Sequence, residues 1–125
     1  MRPSVLVMDE PLSNLDPAGS AAVLELARRL NRDEGMTVIV AEHDVEALAE
    51  HAGRIVVLEA GRVAIDGPTA AVFGDVDALR RIGVRAPQVT ELCATLVRGA
   101  GGAAGRTGPL PVTVDEAVAW LGGRG

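Results

Sequence analysis

The chain has 125 residues, 48% of them hydrophobic and 2% aromatic, with a formal net charge of −5. That length supports one core of moderate size, while the acidity argues against a binder of phosphate backbones and the scarcity of aromatics (Phe73, Trp120 and no tyrosine) against a stacker of single-stranded bases. Cys93 is the only cysteine, which excludes an internal disulfide and suits a reducing compartment, and no apolar run approaches the roughly 18–20 residues that span a bilayer.

Residues 1–3 carry no basic segment followed by an apolar export signal, and an apolar run begins at once. Domains seldom open on a central strand, so Met1 is expected to be a truncation or a misplaced start. Residues 4–8 form a continuous apolar run ending in Asp9 and Glu10, the pattern of a strand buried on both faces of a parallel sheet. Residues 11–16 read as a loop. Asp16-Pro17 then predicts a helix start, with Asp as N-cap and Pro at the first helical position. Val23, Leu24, Ala27 and Leu30 recur at helical spacing to about Asp33, and Gly35 closes the helix.

Residues 37–41 (TVIVA) predict a second buried strand, with Glu42-His43 at its C-terminal end. Asp44 caps a helix through about His51, itself a polar residue favourable at a helix C-terminus. Residues 54–59 and 62–65 read as two strands joined at Ala60-Gly61, and 69–73 as a short helix. Beyond Asp75 come two amphipathic segments, 76–82 and 89–97. The Gly/Ala-rich 99–108 has nothing to bury and is expected to be a flexible linker, which with the proline-containing residues up to 112 separates the helices from the tail. Thr113 and Glu116 form a capping box that opens a last short helix.

Strand, helix and strand in alternation imply an α/β core with parallel strands, whose working residues gather past the C-terminal strand ends. There lie Asp9 and Glu10 on one strand and His43 on the other. A carboxylate such as Asp9 at a strand end can hold Mg²⁺ through water, because a hard cation prefers oxygen and keeps part of its hydration shell. Glu10, on the opposite side of the strand end, can polarise a water for in-line attack on a γ-phosphate. His43 can donate to a terminal phosphate. Taken singly, each is equally consistent with ordinary acids meeting solvent and a histidine capping backbone at a junction.

Together the segments are far more specific. Val5-Leu-Val-Met-Asp9-Glu10-Pro11 reads as a Walker B strand with its glutamate, Ser13-Asn14-Leu15-Asp16 follows at the spacing of a D-loop, and Ala41-Glu42-His43-Asp44 follows the next strand as a switch-histidine loop does. In this order they resemble the ABC ATPase family over residues 4 to about 73. The resemblance implies a partial P-loop NTPase core with a β-hairpin and a helical C-terminal extension, divided as 1–74 core, 75–98 helical extension, 99–112 linker and 113–125 terminal helix and tail. It implies ATP and Mg²⁺ as cofactors, with Asp9 serving the Mg²⁺ and Glu10 as general base. It also implies His43 on the γ-phosphate, Ser13 and Asp16 in the loop that crosses to a partner subunit, and Gly61 in the turn after the switch region.

No GxxxxGK[ST] phosphate loop and no LSGGQ-type helix occur in the chain, and all of its 12 cationic side chains are arginine. The expectation is therefore a site with base and sensor but no cradle, inactive alone. Asp44-Val-Glu-Ala-Leu runs like the transporter branch. Leu79-Arg-Arg-Ile-Gly83 followed by Pro87-Gln-Val-Thr-Glu-Leu92 is similar to the extension of energy-coupling-factor and cobalt-type importer ATPases. That likeness implies uptake of a metal ion or vitamin. The implied partners are a second ABC ATPase subunit, identical or paralogous, and integral membrane transporter subunits, with no nucleic acid. The implied location is cytoplasmic, against the inner face of the cell membrane. The alternatives are a non-catalytic dimerisation or interaction fragment and a soluble ABC ATPase of repair or translation.

Overall fold

A computed structural model describes residues 4–99 and 109–122. The chain divides into two compact units, residues 1–51 and 52–125. Among the described residues no helix is long and apolar enough to cross a membrane.

The first unit is a strand–helix–strand–helix run: β1 (Val5–Asp9), α1 (Pro17–Glu34), β2 (Thr37–Ala41) and α2 (Val45–His51). β1 and β2 pair in parallel from Val5↔Thr37 to Asp9↔Ala41, so the two strand ends that carry polar residues lie side by side. α1 begins where the sequence predicts. Asp16 is extended, and its Oδ1 accepts the Gly19 N–H at 2.7 Å, satisfying one of the free amides of the first turn. It ends at Gly35, whose φ of 66° is the left-handed conformation that glycine adopts without steric penalty. Leu24 and Ala27 of α1 are buried, and Asn31 Nδ2 donates to the Met36 carbonyl at 2.8 Å, locking the helix exit to the start of β2.

The expectation of strands buried on both faces is not met. Val7 is 64% exposed and Ile39 51% exposed, because these odd-numbered positions share one face of a sheet that, among the described residues, consists of β1 and β2. The apolar run encodes a covered strand; the described residues supply cover for one face only.

The second unit opens with an antiparallel hairpin, β3 (Arg54–Glu59) and β4 (Arg62–Pro68). Ala60 and Gly61, both at positive φ (52° and 78°), form the two-residue turn whose twist matches that of the strands. A register shift after Val57 leaves Ala64 as the extra residue on β4. β4 runs three residues past the predicted Ile65, because Asp66, Gly67 and Pro68 pair with Val56, Ile55 and Arg54. Arg54 grips Asp66 with two parallel hydrogen bonds at 2.8 and 2.7 Å, which raises the pKa of the guanidinium and lowers that of the carboxyl, in each case chiefly through the hydrogen bond.

The helices α3 (Thr69–Gly74), α4 (Val76–Arg81), α5 (Gln88–Gly99) and α6 (Val114–Gly122) follow among the described residues. α4 closes in a Schellman turn: the Val84 N–H reaches the Leu79 carbonyl at 2.9 Å, the Gly83 N–H reaches Arg80 at 3.1 Å, and Gly83 sits at φ 78°. Val72, Phe73, Val76, Leu79, Thr90, Cys93, Ala94, Val112 and Ala117 are all buried, so this unit has a core of its own. Ion pairs Arg80–Glu91 and Arg98–Asp77 join α4 to α5 at its edge. Most of the expected linker lies outside the described residues. Of its described part, Gly99 ends α5, while Pro111 and Val112 are buried, the Pro111 carbonyl accepting the Thr90 hydroxyl at 2.7 Å. The capping box at Thr113 forms with one change. The Glu116 N–H finds Thr113 Oγ1 at 3.2 Å, whereas the Glu116 carboxylate reaches back one residue further, to the Val112 N–H at 3.0 Å.

Candidate functional site

The residues singled out in the sequence cluster at the C-terminal end of the β1–β2 pair, within the first unit. Asp9 is the last residue of β1 and is paired with Ala41, the last of β2. The ladder extends one bond further, the Glu10 N–H donating to the Ala41 carbonyl at 2.8 Å. Glu10 itself turns the chain with φ of 49°. A β-carbon in that left-handed region crowds the following carbonyl, at about 1–2 kcal/mol for a non-glycine residue. Strain of this kind persists only where neighbours over-determine it, and it concentrates at functional sites.

The loop after β1 is a tight turn. The Ser13 N–H donates to the Glu10 carbonyl at 3.3 Å and the Leu15 N–H to that of Leu12 at 3.2 Å, with Asn14 also at positive φ, 66°. Ser13 and Asp16 are exposed, and Asp16 is committed to capping α1. Past β2, His43 projects into solvent with its side chain 81% exposed. Its Nδ1 lies 3.5 Å from Glu10 Oε1 and 3.5 Å from Glu42 Oε1, ion-pair distances rather than strong hydrogen bonds. Glu10 and His43 are therefore adjacent, just past the ends of two different strands, although far apart in sequence. Asp44 caps α2 through the Ala47 N–H at 3.1 Å, and His51 is occupied locally, Nδ1 lying 3.0 Å from the Ala47 carbonyl.

Sequence reading missed Glu42 as a member of the site. Its side chain is only 2% exposed, and it receives hydrogen bonds from the loops after both strands. The available signal was a carboxylate wedged between an apolar strand and a histidine. Among the described residues no group of three or more His, Cys, Asp or Glu side chains is arranged to enclose a metal ion. Asp9 instead offers one hard oxygen donor group at an exposed strand end. That suits Mg²⁺, which keeps several waters and completes its shell with phosphate oxygens.

No protein-family model matches the chain. Individual relatives do. An ABC transporter ATP-binding protein of Pyrococcus abyssi is 52% identical over 87 residues, which cover 70% of this chain and 31% of the relative. The energy-coupling factor transporter ATP-binding protein EcfA2 of Clostridium perfringens is 42% identical over 92 residues, 74% of this chain and 32% of that protein. The chain is homologous to ABC transporter ATP-binding proteins. Its structure agrees in part with that of CbiO1 from Clostridium perfringens, part of the ABC transporter complex CbiONQ. The TM-score is 0.56 and the identity 30%, over 74% of this chain and 37% of CbiO1. The mixed α/β architecture of the chain, with its parallel strand pair, antiparallel hairpin and helices, accords with that relationship. The chain spans about a third of the length of the Pyrococcus and Clostridium proteins it matches.

Proposed function

We propose that the end of the β1–β2 pair is the water-activating and phosphate-sensing half of an ATP site in an ABC importer ATPase. The adjacency of the Glu10 carboxylate and the His43 imidazole, 3.5 Å apart at the ends of two parallel strands, carries this reading. Glu10 acts as general base, accepting the proton of the water that attacks the γ-phosphate. His43 contacts that phosphate. With Nδ1 turned toward two carboxylates, a donor at Nε2 for the phosphate is available together with Nδ1–H only in the imidazolium form. Asp9 holds Mg²⁺ through water, and the ion neutralises charge on the phosphate oxygens when bound. Ser13 and Asp16, exposed in the turn after Glu10, face a second ATPase subunit.

These 125 residues contain neither GxxxxGK[ST] nor any lysine to form a phosphate cradle, so this chain by itself is expected to have no measurable ATPase activity. The names of the relatives, an energy-coupling factor transporter ATP-binding protein and a part of the ABC transporter complex CbiONQ, support work within a transporter complex; import of a metal ion or vitamin, with membrane subunits at the inner face of the membrane, is what the resemblance of residues 79–92 implies.

The test is turnover of this chain combined with a polypeptide carrying the phosphate loop and signature helix. Glu10→Gln leaves ATP binding in place and lowers turnover by roughly 10²–10⁴-fold. Unchanged turnover refutes the assignment of the base, and magnesium-dependent hydrolysis by the unsupplemented chain refutes the missing cradle.

A further inference from the structure

Glu42 has no part in the chemistry above, yet it is the most enclosed carboxylate near the site, its side chain 2% exposed between the two strand ends. Each oxygen has its own backbone donor. Oε2 accepts the Leu12 N–H at 3.1 Å, from 30 positions away, and Oε1 accepts the His43 N–H at 3.1 Å. The loops after β1 and β2 are thereby joined twice, once by the Glu10 N–H on the Ala41 carbonyl at 2.8 Å and once through the Glu42 carboxylate. Between these two ties lie only Glu10 and Pro11, and Pro11 has no N–H of its own to fix the turn. The first tie sets where Glu10 leaves the sheet. The second sets where the chain goes two residues later, and so holds Glu10 at its φ of 49°. A carboxylate suits this place because it offers acceptors on both oxygens, whereas an amide has one acceptor and would turn its NH₂ on the other N–H. Bonds from backbone N–H to a charged acceptor are also stronger than those to a neutral one.

We propose that Glu42 is a positioning residue: its buried carboxylate clamps the Leu12 and His43 amides together and so keeps the Glu10 carboxylate facing the His43 imidazole. The meaning of the clamp for ATP turnover rests on the proposed roles of Glu10 and His43; the clamp itself does not.

The experiment uses the full, isotope-labelled chain without ligand. Amide hydrogen exchange is followed at Leu12 and His43, with Leu24 and Ala27 of α1 as references, and so is the nuclear Overhauser contact between the Glu10 side chain and the His43 ring. In Glu42→Ala both loop amides lose protection together, by tenfold or more, and the Glu10–His43 contact disappears, while the α1 amides keep their protection. A loss of packing alone would not produce that signature. Retained protection at either amide, or a persistent Glu10–His43 contact, overturns the proposal. Should Glu42→Ala fail to fold, Glu42→Gln retains protection at only one of the two amides; protection of both overturns it. Addition of Mg²⁺·ATP together with the phosphate-loop polypeptide is read separately. Absent shifts at Asp9, Glu10 and His43 count against the nucleotide reading and leave the clamp standing.

Discussion

Replacing Glu10 by glycine is expected to stabilise the first unit while removing its base. The φ of 49° at Glu10 costs a residue bearing a β-carbon about 1–2 kcal/mol, and glycine avoids that cost. Against it, glycine has more conformational freedom to lose on folding, about 0.4–1 kcal/mol relative to alanine. The Glu10–His43 ion pair contributes little to the balance, since the side chains are 57% and 81% exposed and such surface pairs are worth about 0–1 kcal/mol. Glu10→Ala removes that pair but keeps the strain, so the comparison of the Gly and Ala variants isolates the backbone. The net expectation is about 0.5–1 kcal/mol in favour of glycine. Because the chain has two compact units and its only tryptophan, Trp120, lies in the second, a global fluorescence melt reports the wrong half. Amide exchange of Met8 and Ile39, whose N–H groups point across the β1–β2 ladder, reads the right one. Protection in Glu10→Gly should exceed that in Glu10→Ala by about two- to fivefold, the equivalent of that free-energy difference. Equal protection in the two variants, or less in the glycine variant, would refute the claim that the turn at Glu10 is strained.

Other consequences are local to single interactions. Asp16→Ala removes the acceptor for the Gly19 N–H and should cost about 0.5–2 kcal/mol, read as faster exchange in the first turns of α1. Thr90→Val keeps the shape of a fully buried side chain but strands the Pro111 carbonyl. A loss of about 1–3 kcal/mol is expected in urea unfolding followed by Trp120, and Thr90→Ser, which keeps the hydroxyl, should lose less of the link to α6. The Arg54–Asp66 pair gives a pH dependence of known sign. The carboxyl is held below its ordinary pKa, so its contribution is present above the ordinary carboxylate range and is lost as pH falls through the lowered value. The difference in melting temperature between the chain and Asp66→Asn should therefore close on acidification and stay constant from pH 6 to 8.

Much of the local structure was legible because its signals are local. Asp16-Pro17 and Gly35 fix the ends of α1 by capping chemistry that needs no distant partner. Ala60-Gly61 fixes the hairpin turn, and Thr113 with Glu116 opens α6. The strand β2 begins with its β-branched run and ends one residue after it, at Ala41, as the sequence predicts. β4 was read three residues short because Asp66, Gly67 and Pro68 have poor strand propensity and are held there by pairing with β3, which propensity does not register. The burial of β1 and β2 was overstated for a related reason: apolar pattern tells what a strand is suited to meet, and exposure depends on what lies beside it.

For the site, Ser13 and Asp16 entered only through the resemblance to a D-loop, whereas sequence order itself put Asp9, Glu10 and His43 at strand ends, since an acidic or imidazole residue that closes or follows an apolar run has little choice but to lie there. It could not say that Glu10 and His43 face each other at 3.5 Å, because that follows from the parallel register Asp9↔Ala41. Nor could it reveal the left-handed turn at Glu10 or the burial of Glu42. The Glu42 carboxylate is shared by two loops 30 positions apart, and a shared hydrogen bond is a property of the folded pair of strands rather than of either segment.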